Sequence, residues 1–329
     1  METVPLIGYS DKLSGRPGDR INFMVSSEHK GDFTAQLFRS VNADPNPKGQ
    51  GIVEYACDDF FPKQSFSSRK QKFEPGSYGI TEKPLKMTVE DNVRFSIVIF
   101  PTLKTSHPQT LIEFGQFCLT LDPEGHVSFT SGSEIVTTVD AISIRCWHRV
   151  EAQISTTGLM SIELINLSNS TNSKSTVIQI DLEPDLNEQA HVIIAAKRVG
   201  GSAKNYFNGK IEHPEICADG QIIAFWDFSE NISSLAVTGV ECPDLTLVNA
   251  PTRAVTGAMW DASEMNWQHK PQHYAAIAFH EDDIYDFNWD ADFSFVIPSK
   301  MPSGIYIMRI SCEDDYDAIP FFVCPEKGQ

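Results

Sequence analysis

Apolar residues recur at every second position through much of this chain. Ile21, Phe23 and Val25 share one face of the stretch from Arg20 to Ser26, and the segment from Thr34 to Arg39 alternates in the same way. Ile162 and Leu164 alternate with Ser161 and Glu163, and Ile178, Ile180 and Leu182 with Gln179 and Asp181. Phe293, Phe295 and Ile297 alternate with Asp292 and Ser294. A period of two predicts strands with one buried face, because successive side chains point to opposite sides of a sheet. Between these runs lie Arg16-Pro17-Gly18-Asp19, Glu74-Pro75-Gly76-Ser77, Asp122-Pro123-Glu124-Gly125 and Met301-Pro302-Ser303-Gly304. Proline presets φ and glycine accepts positive φ, so these are predicted turns. Convincing helical patterns are nearly absent. Many short strands with frequent turns predict an all-β chain built of β-sandwiches.

The middle of the chain has its own character. Phe95 to Pro101 predicts an apolar strand, followed by Ile112-Glu113-Phe114-Gly115 and Cys118-Leu119-Thr120-Leu121. Then come Trp147-His148-Arg149-Val150-Glu151-Ala152, Tyr206-Phe207-Asn208-Gly209-Lys210-Ile211-Glu212 and Ala224-Phe225-Trp226-Asp227-Phe228-Ser229. This succession resembles a laminin G or concanavalin A-like jelly roll over residues 75–250. In such a fold Asn208-Gly209 would make a tight hairpin turn, where both central residues need positive φ. The flanks hold too few strands to stand alone. Residues 1–74 and 251–329 are therefore expected to form one discontinuous immunoglobulin-like sandwich, with Ile305–Ile310 and Ile319–Val323 as closing strands. The jelly roll would be inserted into it, which a surface loop tolerates when the two ends lie close together.

The length of 329 residues suffices for about two domains. A net charge of −18 and a pI near 4.8 argue against nucleic acid and against an anionic membrane surface as partners. The acidity serves solubility or a cationic partner surface. No apolar run approaches the roughly 20 residues of a membrane helix. The opening Met1-Glu2-Thr3-Val4-Pro5 lacks the basic and apolar regions of a secretory signal, so the expected location is the cytoplasm. Seven cysteines, at 57, 118, 146, 217, 242, 312 and 324, contain no Cys-x-x-Cys pair. They read as reduced, mostly buried thiols rather than zinc ligands.

The densest set of potential metal ligands is His280, Asp282, Asp283 and Asp286. Hard cations take several oxygens from one loop, yet the EF-hand spacing is missing. The reading favoured is a solvated loop whose acids cap turns or face another domain. His269 and His273 have zinc spacing for a helix, but Pro271 between them opposes one. Asp227, Glu230 and Asn231 are candidates for a calcium or sugar site at a jelly-roll rim, or else cap a strand end. Trp226, Trp260, Trp267 and Trp289 could stack on a ligand, though burial is their commoner fate. No Gly-x-Ser-x-Gly elbow and no phosphate-binding glycine loop occurs. Cys146 lies beside Trp147-His148, but no catalytic Cys–His pair is expected there. Glu151 and Glu163 lack the company of a Glu-x-Asp-x-x-Glu glucanase strand. Sequons at Asn166, Asn169 and Asn231 carry no weight without secretion.

A wider resemblance runs along the chain. It rests on Gly8-Tyr9-Ser10-Asp11-Lys12-Leu13-Ser14 with Arg16-Pro17-Gly18, on Asp44-Pro45-Asn46-Pro47 with Gly49 and Gly51, and on Pro75-Gly76-Ser77-Tyr78. It continues from Ala250-Pro251-Thr252-Arg253 through Met265-Asn266-Trp267 and Tyr274–Asp286 to Trp289–Pro298. These stretches resemble the large (beta) subunit of N,N-dimethylformamidase and its relatives. The resemblance implies an amide hydrolase that splits N,N-dimethylformamide into formate and dimethylamine. It implies a mononuclear iron held by two tyrosines and a glutamate in a palm-like C-terminal domain, a small helical companion subunit and a homo-oligomer. It places the start of that catalytic domain about where this chain stops. The expectation is therefore a non-catalytic accessory portion, with no catalytic residue and no cofactor of its own, that packs against the catalytic domain. The alternatives are a lectin-like module that binds a carbohydrate or small ligand, and a self-sufficient enzyme built around His280.

Overall fold

The computed structural model describes residues 4–168, 174–180 and 183–327. The sequon at Asn169, the Asp181–Leu182 end of one predicted alternation and both extreme termini lie outside the described residues. The chain divides into two compact units, one of residues 1–73 with 287–329 and one of residues 74–286. Among the described residues nearly all regular structure is strand, and the one helical turn is a 3-10 turn at Pro271–Tyr274. No helix is long and apolar enough to cross a membrane.

The discontinuous unit is a sandwich. Its three-stranded sheet has the order Leu6–Ser10, Arg20–Ser27, Phe293–Val296. Its six-stranded sheet runs Ser14–Gly15, Asp315–Val323, Gly304–Cys312, Phe33–Ala43 and Ile52–Ala56, with Gln64–Phe66 also on Phe33–Ala43. The predicted alternations decide which faces meet. Ile21, Phe23 and Val25 are buried, as are Ala35 and Leu37, Phe293 and Phe295, and Ile319, Phe321 and Val323. Phe23 pairs with Phe293 across the strands and stacks on it at 5.0 Å. Burying one such ring is worth about 1.5–3 kcal/mol, so a one-residue slip that turned the row outward would be prohibitive. The turn at Arg16–Asp19 closes as predicted, with the Asp19 amide on the Arg16 carbonyl at 2.9 Å and Gly18 at φ 91°. The chain leaves this unit at Phe73 and re-enters at Phe287, and those two rings meet edge-on at 4.9 Å. The two ends of the intervening segment are thus adjacent.

The continuous unit is built of two larger antiparallel sheets around one apolar core. The eight-stranded sheet has the order Glu134–Thr137, Val127–Ser131, Phe117–Leu121, Gln109–Phe114, Val192–Ile194, Tyr78–Thr81, Leu245–Val248, Ala236–Val237. The nine-stranded sheet runs Lys174–Gln179, Leu159–Asn166, His148–Ser155, Asn92–Pro101, Gly209–Ala218, Gln221–Trp226, Gly239–Val240, with Thr252–Val255 and Ala276–Phe279 attached beside Gly209. Phe95 of one sheet meets Phe117 and Phe129 of the other at 5.4 and 5.6 Å. Trp226 is fully buried and its indole N–H donates to the Pro243 carbonyl at 3.0 Å, which satisfies the one polar atom that burial would otherwise strand.

Three expectations differ from what is observed. Residues 251–286 belong to the continuous unit rather than to the split sandwich, because Ala276–Phe279 pairs with Gly209–Ile211 and its four side chains are all buried. Asn208-Gly209 is not a hairpin turn. Asn208 is buried with its amide on Gln109, and Gly209 begins a strand, where a Cβ would sit 2.4 Å from the Phe100 carbonyl oxygen. Glycine is there for close backbone approach, not for a turn. Finally, only Cys118, Cys217 and Cys312 are buried and the other four cysteines are half-buried, all of them unpaired.

Candidate functional site

The acidic turn after Ala276–Phe279 is held against Gly76-Ser77. The Ser77 hydroxyl donates to Asp283 at 2.6 Å, the His280 amide donates to that hydroxyl at 3.1 Å, and the Ser77 amide donates to the His280 carbonyl at 2.9 Å. His280 Nδ1 lies 3.7 Å from Asp283. Glu281 pairs with His107 at 3.1 Å, and its amide reaches the Asn208 side chain. Asp282 is exposed and has no partner among the described residues. The turn therefore brings His280 and Asp283 together, but it spends Asp283 on fixing the backbone. Among the described residues no group of three or more His, Cys, Asp or Glu side chains is placed to hold a metal ion.

The other predicted residues are also engaged locally. Asp227 accepts from the Ser229 amide at 2.9 Å and from its hydroxyl at 2.7 Å, an Asx-type turn. Arg253 donates to the carbonyls of Phe228, Glu230 and Ser234 and so gathers the loop that carries Glu230 and Asn231. Asn231 sits at φ 48° and reaches Thr238 at 3.4 Å. His269 pairs with Glu264 at 3.2 Å, whereas His273 is buried beside Asp261 at 3.4 Å, so the two histidines do not share a ligand. Pro271 opens the 3-10 turn between them. Trp289 is buried, but Trp260 and Trp267 are more than a third exposed.

One constellation is invisible along the sequence. On the outer face of the nine-stranded sheet, Glu151 and Glu215 lie opposite Ser96 from its two neighbouring strands. Arg94 reaches Glu215 at 2.9 Å, Cys217 Sγ at 3.2 Å and Glu151 at 3.9 Å. Arg94, Ser96, Glu151 and Glu215 line a cleft of about 340 Å³ together with Val98, Arg149, His213 and Phe225. A bulge between Glu212 and Glu215 turns His213 outward at φ 49°, where its ring stacks on Phe225 at 5.8 Å. Arg149 is exposed with no partner among the described residues. Burial first, and then the neighbouring Glu215, push the Cys217 thiol up, which makes it a poor nucleophile. Glu151 thus has company after all, from a strand more than fifty residues away in the chain. No local signal announces that pairing.

Glu212, 1% exposed, lies opposite Val98 on the neighbouring strand, but its carboxylate is covered by the 257–258 backbone. Burial raises its carboxyl above the usual range, partly offset by the Ala258 amide that donates to it at 2.7 Å. A perturbed buried acid is a functional candidate on general grounds. Here Gly257 packs so closely on the carboxylate that a Cβ would come within 2.8 Å of it. Glu212 ties down the 257–258 backbone.

Two tyrosines and a glutamate, the residue types that the resemblance expects around iron in the catalytic domain, come together in this chain at Tyr78, Tyr206 and Glu74. The two rings are 6.2 Å apart. Burial pushes both phenols up, that of Tyr206 to about 12, so neither favours the phenolate that ligation needs. Tyr206 covers the Gly76 α carbon, and Glu74 accepts from Ser202 at 2.7 Å. These residues pack a corner and do not fit an iron site.

Residues 252–329 match the family model described as N,N-dimethylformamidase beta subunit-like, C-terminal. That stretch begins in the continuous unit and ends in the split sandwich, so the region it represents starts inside this chain. The whole chain aligns with the N,N-dimethylformamidase beta subunit of Paracoccus aminophilus at 30% identity and with that of an Alcaligenes species at 29%. In both cases the alignment covers 100% of this chain and 50% of the relative. Among solved structures, a heptameric SAP-like pentraxin from Limulus polyphemus is 11% identical, over 58% of this chain and 77% of that one, with a TM-score of 0.32. The chain is all-β and similar over its full length to part of an enzyme's beta subunit. It is similar along its whole length to the N,N-dimethylformamidase beta subunit, and it spans about half the length of the curated relatives it matches.

Proposed function

We propose that this chain is the non-catalytic, N-terminal portion of a dimethylformamidase-like beta subunit. Its work is to pack against the catalytic remainder, to shape the approach to the iron and to supply oligomer contacts. In this reading the iron, the amide substrate and the small helical subunit belong to the rest of the assembly. The observation that carries the reading is the alignment over all of this chain and only half of each relative. Its second support is local. Asp227, Asp283 and Glu212 hold turns or backbone amides. None of the three is left facing a cavity as a spare acid or base.

The test is to reconstitute the isolated chain with ferrous and ferric iron, measure bound metal, and follow formate release from N,N-dimethylformamide. Metal far below one equivalent and formate at the level of the buffer blank are expected. Stoichiometric iron together with turnover would overturn the proposal.

A further inference from the structure

The split sandwich turns an apolar sheet face to solvent. In its six-stranded sheet Tyr306, Met308 and Ile310 point into the core, as do Ile319, Phe321 and Val323 and, beside them, Ala35 and Leu37. The alternate residues of these strands therefore form the outer face. Across three strands the register sets Phe322 opposite Ile305, and Pro320 and Phe38 on either side of Ile307. Tyr316 lies further along the same side of its strand. Tyr316 is 69% exposed, Ile305 46% and Phe322 40%. The solvated face of an antiparallel sheet is ordinarily polar, so a row of this kind marks a surface that is covered in use.

The row has little charge to offer. Arg309 is the ion within it, and Glu54, from two strands away, pairs with it. The Arg309 guanidinium lies over the Phe38 ring at 4.4 Å and 5.8 Å from that of Tyr316. Aromatic side chains and arginine, with other charges kept to the margin, are the composition of an interface centre. Acids gather at the rim, with Asp58 beside Gln36 and with Glu313 and Asp314 next to Tyr316. Strand addition is closed off at the neighbouring edge. There Ser14–Gly15 pairs with Phe322 and Val323, and Pro320 has no N–H to give a further strand. The face, not the edge, is the part left to dock.

Size and charge choose among occupants. At ~200 Å² for a whole large side chain, the row leaves on the order of 500 Å² of apolar surface in water. A stable dimer asks for about 800 Å² from each partner. A second copy would also bring another body of charge −18, with its own Glu313 and Asp314, against the same acidic rim. A domain of the same polypeptide needs less surface, because its tether removes most of the cost of association. Half of each curated relative lies outside the region that this chain matches. We propose that the outer face of the six-stranded sheet, centred on Ile305, Ile307 and Phe322, docks that other half of the beta subunit through an apolar, uncharged surface on it. The inference rests on the accessory role proposed above and assigns that role a face.

Two proteins test this: the isolated chain, and a full-length beta subunit in which this chain replaces the matched half of the Paracoccus aminophilus protein. Hydroxyl-radical footprinting reads the solvent exposure of single side chains. Tyr316 and Phe322 should label about five-fold less in the full-length protein than in the isolated chain, as the water-excluding centre of an interface requires. Undiminished labelling of either would overturn the proposal. Ile305→Lys changes an exposed position and should leave the urea midpoint of the isolated chain unchanged. In the full-length protein it should return Tyr316 and Phe322 to the labelling of the isolated chain. Protection that survives the substitution would place the cover elsewhere and overturn the assignment. Phe322→Lys, read at Tyr316, repeats the test nearer the edge of the sheet if Ile305→Lys does not fold. The isolated chain should sediment as a monomer from ~10 to ~200 µM. A dimer that Phe322→Lys disperses would give the face to a second copy and overturn the proposal. Iron content and formate release, which test the accessory role itself, enter none of these readouts.

Discussion

The turn from His280 to Asp286 and the sheet face around Arg94 make opposite uses of charge. In the turn, acids crowd together along the chain, and the one best placed to act, Asp283, is consumed by the Ser77 hydroxyl. On the sheet face, Arg94, Glu151 and Glu215 come from three strands and converge on one cleft. The acid-rich turn ends in a clamp that fixes backbone, and the strands end in a constellation of side chains. The clamp is closed by Ser77, 206 residues from Asp283, whose hydroxyl donates to the acid and accepts from the His280 amide, so the acid is spent on fixing the turn. Residues on adjacent strands have their ladders already satisfied. Their side chains are left to meet each other or a ligand.

The largest expected effect tests the clamp. Asp283→Ala removes the acceptor of a charge-assisted hydrogen bond and leaves Ser77 without its partner, so it should lower the stability of the continuous unit by about 2 kcal/mol in urea unfolding. Asp282→Ala, on the same turn but unpartnered, should change it by less than about 0.5 kcal/mol. Equal losses would mean that the turn acts as a diffuse field of charge, and the contrast would collapse. The next effect tests the constellation. Arg94→Ala should cost about 1 kcal/mol, discounted because the arginine is more than a third exposed. A double-mutant cycle with Glu215→Gln should show coupling of about 0.5 kcal/mol. Additive losses would reduce the cleft to unrelated surface charges.

The same contrast explains what was legible beforehand. Ile21, Phe23 and Val25 announced their strand because burial acts on every second residue of a local segment. The turn at Arg16–Asp19 was legible because proline and glycine set φ locally. Asn208-Gly209 was misread because glycine answers two needs, positive φ and close approach, and only the Phe100 carbonyl beside it distinguishes them. The placement of residues 251–286 hangs on Ala276–Phe279 pairing with Gly209–Ile211, 66 to 70 residues earlier. Strand order is a property of the whole unit. Glu151 with Glu215 was out of reach for the same reason.

Glu212 is the limiting case between clamp and constellation, and it carries the smallest effect. It is as buried as a core residue, yet it serves one backbone amide, that of Ala258. Burial raises its folded-state pKa above the unfolded value, so the unfolded chain gives up its proton first as pH rises. Ionisation then favours unfolding. The penalty is absent below the unfolded value near 4.3, grows as pH rises through the interval up to the raised folded value, and is constant above it. Glu212→Gln keeps an oxygen for the Ala258 amide and cannot ionise. The variant should match the parent near pH 4 and be modestly more stable near pH 8, read as the difference between two urea midpoints at each pH. His148 tilts the same curve the other way. Burial lowers its pKa, so stability should be lost as pH falls below about 6.5. The Glu212→Gln comparison isolates one slope from the other because His148 is present in both proteins. A Gln variant less stable than the parent at pH 8 would mean that the charge itself, through His213 at 3.5 Å and Lys210, outweighs its desolvation. Glu212 would then count with the Arg94 constellation rather than with the clamps.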